Sequence, residues 1–321
     1  MNPNNIPIIT IVTPSFNQGV FISETLNSVI EQEGLFYIDF IVMDGLSSDN
    51  TVEILEKFEK KIKGCPLSVQ ISGKTFYSVG ANQGVSFSWI SEKDFGQTDA
   101  LNKAIRLILK ESQYFNWLCS DDKYRTKNSL ASLLMRSLPK SVVYGKSIYV
   151  DELGKDLKEY ATVQVTEENI FENFGIAQPS ALVCFNSTED LVLDLKYSSI
   201  MDLFLWVSLF QLGYQFYYVD DILVSDYRIH TNSKTSSWRL RTYSEIMSLM
   251  QFTGKQISQK LISSMYHECV RGGNGTLGLT LRFLNSRYLD AILIRVLKIF
   301  FNHLKLNLSF LLSAPKTNWN P

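Results

Sequence analysis

Ile8–Thr13 is an unbroken apolar and β-branched run that stops at Pro14-Ser15, and after the loop residues Asn17-Gln18-Gly19 the positions Ile22, Leu26, Val29 and Ile30 fall on one helical face. This strand–loop–helix unit recurs. Ile38–Met43 is a second such run, broken at Asp44-Gly45, and Ser48-Asp49-Asn50 can cap a helix whose apolar side carries Val52, Leu55, Phe58 and Ile62. Leu67–Ile71 and Phe87–Ile90 read as further strands, and Leu101, Ala104, Ile105 and Ile108 as another helix face. Phe115–Cys119 reads as a fifth strand running straight into Ser120-Asp121-Asp122. Alternating elements with near-continuous apolar strands predict an α/β fold whose parallel sheet is covered by helices. Ligands of such sheets bind beyond the carboxyl ends of the strands. Three of those ends carry polar residues: Pro14-Ser15, Asp44-Gly45 and Asp121-Asp122.

Further along, Val142–Val150 reads as a strand leading into the turn Asp151-Glu152-Leu153-Gly154, and Gly175–Phe185 as a loop entering a strand. Leu203–Leu212 reads as an apolar helix, Phe216–Val219 as an aromatic strand and Asp226–Thr235 as a polar loop. From about Trp238 the pattern becomes helical, and Gly272-Gly273-Asn274-Gly275 is the best hinge candidate before the final segment. A chain of 321 residues with 45% hydrophobic residues can bury a core without disulfide or metal staples. Its net charge of −1 gives no argument for a nucleic-acid partner. The four cysteines, Cys65, Cys119, Cys184 and Cys269, form no CxxC pair and read as buried reduced thiols, which suits the cytoplasm. Met1–Pro7 is polar and Ile8–Thr13 too short for a signal peptide. Arg295, Lys298 and His303 interrupt the most apolar segment, so no membrane span is expected.

Two adjacent carboxylates at the tip of a buried strand repel one another unless a cation or hydrogen-bonded ligand compensates them. Asp121-Asp122 therefore suits Mg²⁺ or Mn²⁺, hard cations that bind through one or two carboxylates plus substrate phosphates. The competing reading is a solvated turn capping the helix around Lys127–Arg136. In Glu92–Lys103, Gly96 permits close backbone approach, and Asp99, Asn102 and Arg106 recur along one polar side of the following helix. That arrangement is suited to a ribose or base edge, or to an ordinary capped surface helix.

Taken together, Ile11-Val12-Thr13-Pro14-Ser15-Phe16-Asn17, Met43-Asp44-Gly45 with Ser48–Val52, Ser91–Gln97 with Asp99–Lys103, and Trp117–Asp122 resemble glycosyltransferase family 2. These are inverting, nucleotide-sugar-dependent enzymes of the GT-A fold. The likeness covers about Pro7 to Thr235 and implies a Rossmann-like, mostly parallel sheet flanked by helices, with a helical C-terminal extension. The catalytic domain would span 1–237, its nucleotide-binding half about 1–122 and its acceptor half about 123–237, with 238–321 as the helical region.

The resemblance implies that Pro14, Ser15, Asp44, Asp94 and Gln97 line the nucleotide pocket, Asp44 and Asp94 holding base or ribose. Ser120-Asp121-Asp122 would be the DXD-type motif, with Ser120 a variant of its first residue; Asp122 would ligate Mn²⁺ or Mg²⁺ and Asp121 contact ribose or donor sugar. Asp202, at the start of an apolar helix, matches the catalytic base, which must face the acceptor hydroxyl opposite the leaving nucleotide; a carboxylate there also satisfies the helix dipole. The family pattern often continues with a second acid and an Arg, where this chain has Phe204 and Ser208. Gln178, in Gln178-Pro179-Ser180, and Trp206 would contact the acceptor. His230, in Arg228–Thr235, would close over the diphosphate and its metal. UDP is the expected nucleotide, by family frequency.

Leu281–Leu312 mixes Leu, Ile and Phe with Arg282, Arg287, Arg295, Lys298 and Lys305. Such a basic amphipathic stretch can lie in a membrane interface, or pack as a helical pair on the catalytic domain or on a second subunit as a homo-oligomer. By analogy, an enzyme of this kind would pass a sugar to a glycan or lipid-linked acceptor in bacterial surface polysaccharide synthesis, in the cytoplasm or on the cytoplasmic face of the inner membrane. The alternatives are a non-catalytic sugar- or membrane-binding module of the same fold and a nucleotidyltransferase. The latter would normally carry a Gly-rich, cationic phosphate loop where Asn17-Gln18-Gly19 stands.

Overall fold

The computed structural model describes residues 6–171, 175–231, 239–256, 261–263, 266 and 294–295. Asn232–Thr235, Cys269, the Gly272–Gly275 hinge and, save residues 294–295, the basic amphipathic stretch lie outside the described residues. Two compact units are present, 1–166 with 174–230 and 167–173 with 231–321.

The first unit is built on one mixed sheet. β1 (Ile8–Ser15), β2 (Tyr37–Asp44), β5 (Gly84–Ser91) and β6 (Tyr114–Trp117) form its parallel centre in the order β5-β2-β1-β6. Every residue of β1 and β2 is buried, as continuous apolar runs in a sheet covered on both faces require. α1 (Ile22–Ile30) buries Ile22, Leu26, Val29 and Ile30, and α2 (Thr51–Lys63) buries Leu55, Phe58 and Ile62, the stripes read from their periodicity. α3 (Gln97–Ile105) connects β5 back across β1 to β6. Successive connections therefore leave β1 in opposite directions, which puts the topological switch point between β1 and β6, directly above Ser15 and the turn after Trp117.

The sheet departs from the parallel expectation on both sides of this centre. β3 (Leu67–Ile71) and β4 (Lys74–Tyr77) form an antiparallel hairpin at one edge, and β4 joins β5 antiparallel. On the other side β10 (Ala181–Cys184) runs antiparallel to both β6 and β8 (Ser141–Val150). β11 (Gln215–Arg228) is parallel to β8 and antiparallel to the short β7 (Lys123–Tyr124), while β9 (Asp156–Glu159) pairs with β8 outside the main path. β11 continues through Asp226–Arg228, residues that read as loop. Its charged residues can occupy a strand because Asp226 meets Arg125 at 2.8 Å and Asp221 meets Arg136 at 3.0 Å. α4 (Ser129–Leu134) and α5 (Met201–Gln211) complete the unit.

In the second unit, α6 (Arg239–Phe252) buries Ile246, Met247, Leu249 and Met250, and Arg241 pairs with the buried Glu245 at 2.8 Å. No described helix is long and apolar enough to cross a membrane.

Candidate active site

At the carboxyl end of β2, Asp44 is buried and pairs in register with Ser15 of β1. It accepts hydrogen bonds from the Ser47 backbone N–H at 2.9 Å, from the Ser47 hydroxyl and from the Ser91 hydroxyl at 2.6 Å. Pro14 stands opposite Met43 in the same ladder. The neighbouring Gly45 packs so closely on Asp94 that a Cβ there would lie 2.7 Å from Oδ2. Asp94 in turn accepts from the Gly96 N–H at 2.8 Å, and Gly96 enters α3 at φ +103°, a conformation few other residues adopt. Ser15 is 5% exposed, and its hydroxyl has no hydrogen-bond partner among the described residues. A buried orphan hydroxyl at a strand end beside Asp44 is suited to a bound polar ligand.

The turn after β6 carries Asp121 and Asp122. Asp122 is 4% exposed. Its Oδ1 accepts the backbone N–H of Arg228 at 2.8 Å, and no hydrogen bond among the described residues reaches its other oxygen. Burial, then the charge of Asp121, push the Asp122 carboxyl well above the usual carboxylate range, against a lowering pull from Arg228. It does not cap α4, whose N-cap position is Asn128. Asp121 meets Nε2 of His230 at 3.0 Å, and the His230 ring lies 5.1 Å from that of Phe21. Arg228 is 1% exposed and acts as a brace: Nε donates to the Asp121 carbonyl at 2.9 Å, Nη2 to Glu24 at 3.0 Å and Nη1 to the Glu152 carbonyl at 2.8 Å, with Phe21 beneath the guanidinium at 4.9 Å.

Cys119 is the residue that sequence reasoning passed over as a bland thiol. Its Sγ and the carboxylate oxygens of Asp121 and Asp122 all lie within 4.8 Å of one another. Gln97 donates from Nε2 to the sulfur at 3.2 Å, and the thiol faces Oε1 of Gln178 at 3.5 Å. Gln178 is buried, and its own amide donates to the Trp117 carbonyl. Both glutamines thus border the carboxylate pair, and Gln97 joins it to the Asp44–Asp94 end of the rim. Asp121 and Asp122 stand two and three residues on, while the two glutamines at the sulfur are 22 and 59 residues away in sequence.

Two neighbouring carboxylates, one of them on a buried residue with an oxygen that takes no hydrogen bond among the described residues, fit a divalent cation, which would remove the repulsion between them.

The start of α5 is tied to the start of α3. The Thr98 hydroxyl donates to the Tyr197 carbonyl at 2.9 Å and lies 3.5 Å from the Met201 sulfur. Asp202 sits in the first turn of α5, where Oδ1 accepts the Leu203 N–H at 2.8 Å. Tyr149, Tyr160 and Tyr227 cluster with ring centroids 5.2–6.1 Å apart. Burial, then Tyr149, then the charge of Asp202 raise the Tyr160 phenol, and Tyr227 precedes Arg228. Trp206 follows one turn after Asp202, 6% exposed, with an indole N–H that has no partner among the described residues. Phe204 stacks on Tyr197 at 5.1 Å, so an apolar contact occupies the position of the second acid. Asn102, for which a ribose or base edge and an ordinary capped surface helix both stood open, is bonded to Leu193, accepting from its N–H and donating to its carbonyl, both at 2.8 Å.

Similar architecture is found in known proteins. The first 349 residues of Staphylococcus aureus TarS, solved with UDP-GlcNAc, superpose with a TM-score of 0.55 at 17% identity, covering 83% of this chain and 74% of that one. The mannosyltransferase PcManGT of Pyrobaculum calidifontis, solved with GDP-Man and Mn²⁺, gives a TM-score of 0.55 at 14% identity over 90% of this chain and 79% of its own. In sequence, 239 residues are 24% identical to a Bacillus subtilis protein assigned to teichuronic acid biosynthesis as the glycosyltransferase TuaG, over 73% of this chain and 84% of that protein. The sequence model described as glycosyl transferase family 2 matches residues 10–178, a stretch that holds the Asp44–Asp94 rim, the Asp121–Asp122 turn and Gln178 and exceeds half of the chain; this protein belongs to that family.

Proposed function

We propose that the protein is an inverting, cation-dependent glycosyltransferase that moves a sugar from a nucleoside diphosphate sugar, with UDP as the nucleotide, to a hydroxyl of a glycan or lipid-linked acceptor in bacterial surface polysaccharide synthesis. The observation that carries this reading is Asp122, a buried residue whose carboxylate has one oxygen that takes no hydrogen bond among the described residues, beside a second carboxylate at the switch point of an α/β sheet. The likeness to TuaG and to TarS supports the polymer and the nucleotide, and the Mn²⁺-bound mannosyltransferase supports the cation.

In this reading Asp44, Asp94, Pro14 and Ser15 hold base and ribose, with Gln97 at the inner wall. Asp122, with His230 at the Asp121 side, would hold Mn²⁺ or Mg²⁺. Such an ion, when bound, supplies positive charge against the diphosphate. Asp121, whose carboxylate meets His230 and whose backbone carbonyl takes the Arg228 Nε–H, contacts the ribose or donor sugar. Asp202 accepts the proton of the acceptor hydroxyl, and opposite-face attack gives inversion. The orphan N–H of Trp206, one turn on, and the Gln178 amide hold the acceptor.

Release of UDP from UDP-GlcNAc with and without Mn²⁺ tests the proposal. Cation-stimulated release that disappears in Asp122→Asn supports it and excludes a pure binding module. Nucleotide-sugar binding without turnover, in the presence of acceptor polymer and in every variant, would overturn it.

A further inference from the structure

We propose that Thr25 of α1 is a positioning residue for the candidate cation site: its hydroxyl holds the peptide groups on either side of the Asp121–Asp122 pair, and so fixes the backbone from which both carboxylates project. This role rests on reading the pair as a cation site, and adds to that reading the side chain that keeps the turn in place.

The peptide groups that precede, join and follow the two acids each present their carbonyl to a side chain. The Thr25 hydroxyl lies 2.9 Å from the Ser120 carbonyl and 2.6 Å from that of Asp122, and Arg228 Nε donates to the Asp121 carbonyl between them at 2.9 Å. A hydroxyl has one proton, so Thr25 shares it between its two acceptors. Threonine inside a helix commonly turns its hydroxyl to a carbonyl one turn back, whereas Thr25 turns its own to carbonyls 95 and 97 residues along the chain. Thr25 is 1% exposed, and Ser120 and Asp122 are both buried, so the contact is closed to solvent. The helix that carries it is a firm mount, because Ile22, Leu26, Val29 and Ile30 anchor α1 in the core. Its neighbours on α1 hold the surroundings of the turn: Glu24 takes Nη2 of Arg228 at 3.0 Å, and Ser28 accepts the Tyr124 N–H at 3.2 Å. Thr25 is the contact that spans the pair itself. Valine in its place fills the same space with a methyl group and donates nothing. Two buried carbonyls then lose their donor, the turn shifts to find others, and the carboxylates shift with it.

The test compares Thr25→Val, Thr25→Ser and Thr10→Val with the wild type in the full chain. Thr10 serves as the control because its hydroxyl is also buried, in β1, and bonds to Ser112 at 2.8 Å. Mn²⁺ binding without nucleotide is measured from the loss of the free-ion electron paramagnetic resonance signal. Hydrogen exchange of the metal-free protein, read by mass spectrometry, follows the peptide covering the turn, and urea denaturation reports the stability of each variant. Thr25→Val should bind Mn²⁺ at least about tenfold more weakly, with faster exchange at the turn. Thr25→Ser keeps the hydroxyl and should return the affinity to within about twofold of the wild type. Thr10→Val should lose stability and bind Mn²⁺ as the wild type does. Mn²⁺ affinity equal to the wild type in folded Thr25→Val, whatever its exchange, overturns the positioning role and leaves the cation reading standing. An equal loss of affinity in Thr25→Val and Thr10→Val traces the effect to general destabilisation and overturns the role as well. If the folded wild type binds no Mn²⁺, the cation reading and the role of Thr25 fall together. Should Thr25→Val not fold, Thr25→Ala takes its place in the same comparison.

Discussion

The backbone N–H of Arg228 donates to Oδ1 of Asp122 at 2.8 Å, across 106 residues of chain. One oxygen of the buried carboxylate is thereby fixed by the last residue of β11, and the other is left for a ligand. The same residue's guanidinium holds the Asp121 backbone carbonyl, and His230, two residues on, meets the Asp121 carboxylate, so the segment at the end of β11 contacts both acids. A carboxylate held in this way needs no rearrangement to receive a cation.

Asp122→Asn keeps the shape and the Arg228 hydrogen bond but removes the charge. We expect UDP release to fall by at least about a hundredfold, or about 3 kcal/mol. Thermal unfolding provides a second check. A ligand of the native state at a hundred times its Kd stabilises by about 2.7 kcal/mol, so Mn²⁺ should raise the melting temperature of the wild type and leave that of Asp122→Asn in place. An equal rise in both proteins would argue that the cation binds elsewhere.

Asp202→Asn should divide catalysis from binding. Loss of a general base costs about 10²–10⁴-fold in turnover. Because Asp202 lies at the start of α5, away from the direct contacts of Asp44 and Asp122, the Kd for UDP measured by calorimetry should stay within about twofold of the wild type, less than about 0.5 kcal/mol. A large loss of UDP affinity would place Asp202 in the donor pocket instead.

The parallel centre and its polar strand ends are legible because buried parallel strands need near-continuous apolar runs, and Ile8–Thr13 and Ile38–Met43 supply them. Asp44 and Asp121-Asp122 follow directly, as the residues at which those runs stop. Arg228 was not legible in the same way. Phe216–Val219 reads as a strand but Asp226–Thr235 as a loop, until Arg125 is found opposite Asp226 and β11 is seen to run on to Arg228. Cys119 was hidden for a related reason, since its environment is made by Gln97 and Gln178 from distant segments. Local pattern reports which residues a strand presents, and long-range pairing decides what they meet.

Gly45→Ala should act on nucleotide binding through Asp94. The added methyl would lie 2.7 Å from Asp94 Oδ2, well inside van der Waals contact, and Asp94 is held from behind by the Gly96 N–H. The carboxylate must turn away. We expect the Kd for UDP to rise about tenfold, or 1.4 kcal/mol, with Mn²⁺ binding to the free protein unchanged. Unchanged UDP affinity would show that Asp94 does not touch the nucleotide.

Lys74→Met tests the electrostatics of the sheet itself. Asp39 lies in the middle of β2 with a fully buried side chain, and Lys74 of β4 donates to both of its oxygens at 2.8 Å. Burial raises the Asp39 carboxyl, with Lys74 pulling it down. A carboxyl whose folded value is raised holds its proton longer in the native state, so its contribution to stability is present at low pH and is lost as pH rises through the folded value. Removing Lys74 takes away the opposing pull, raises that value further and leaves an unpaired buried charge at neutral pH, at a cost of about 3 kcal/mol. Urea denaturation at neutral pH should therefore show Lys74→Met strongly destabilised, and the gap to the wild type should narrow as pH is lowered toward about 4, the ordinary carboxylate value. The double variant Asp39→Asn with Lys74→Met has no charge to bury, and its stability relative to the wild type should lose most of that pH dependence. A gap that stays constant from neutrality to acid would mean that the loss comes from the packing of the lysine stem, and that the Asp39 charge plays no part in it.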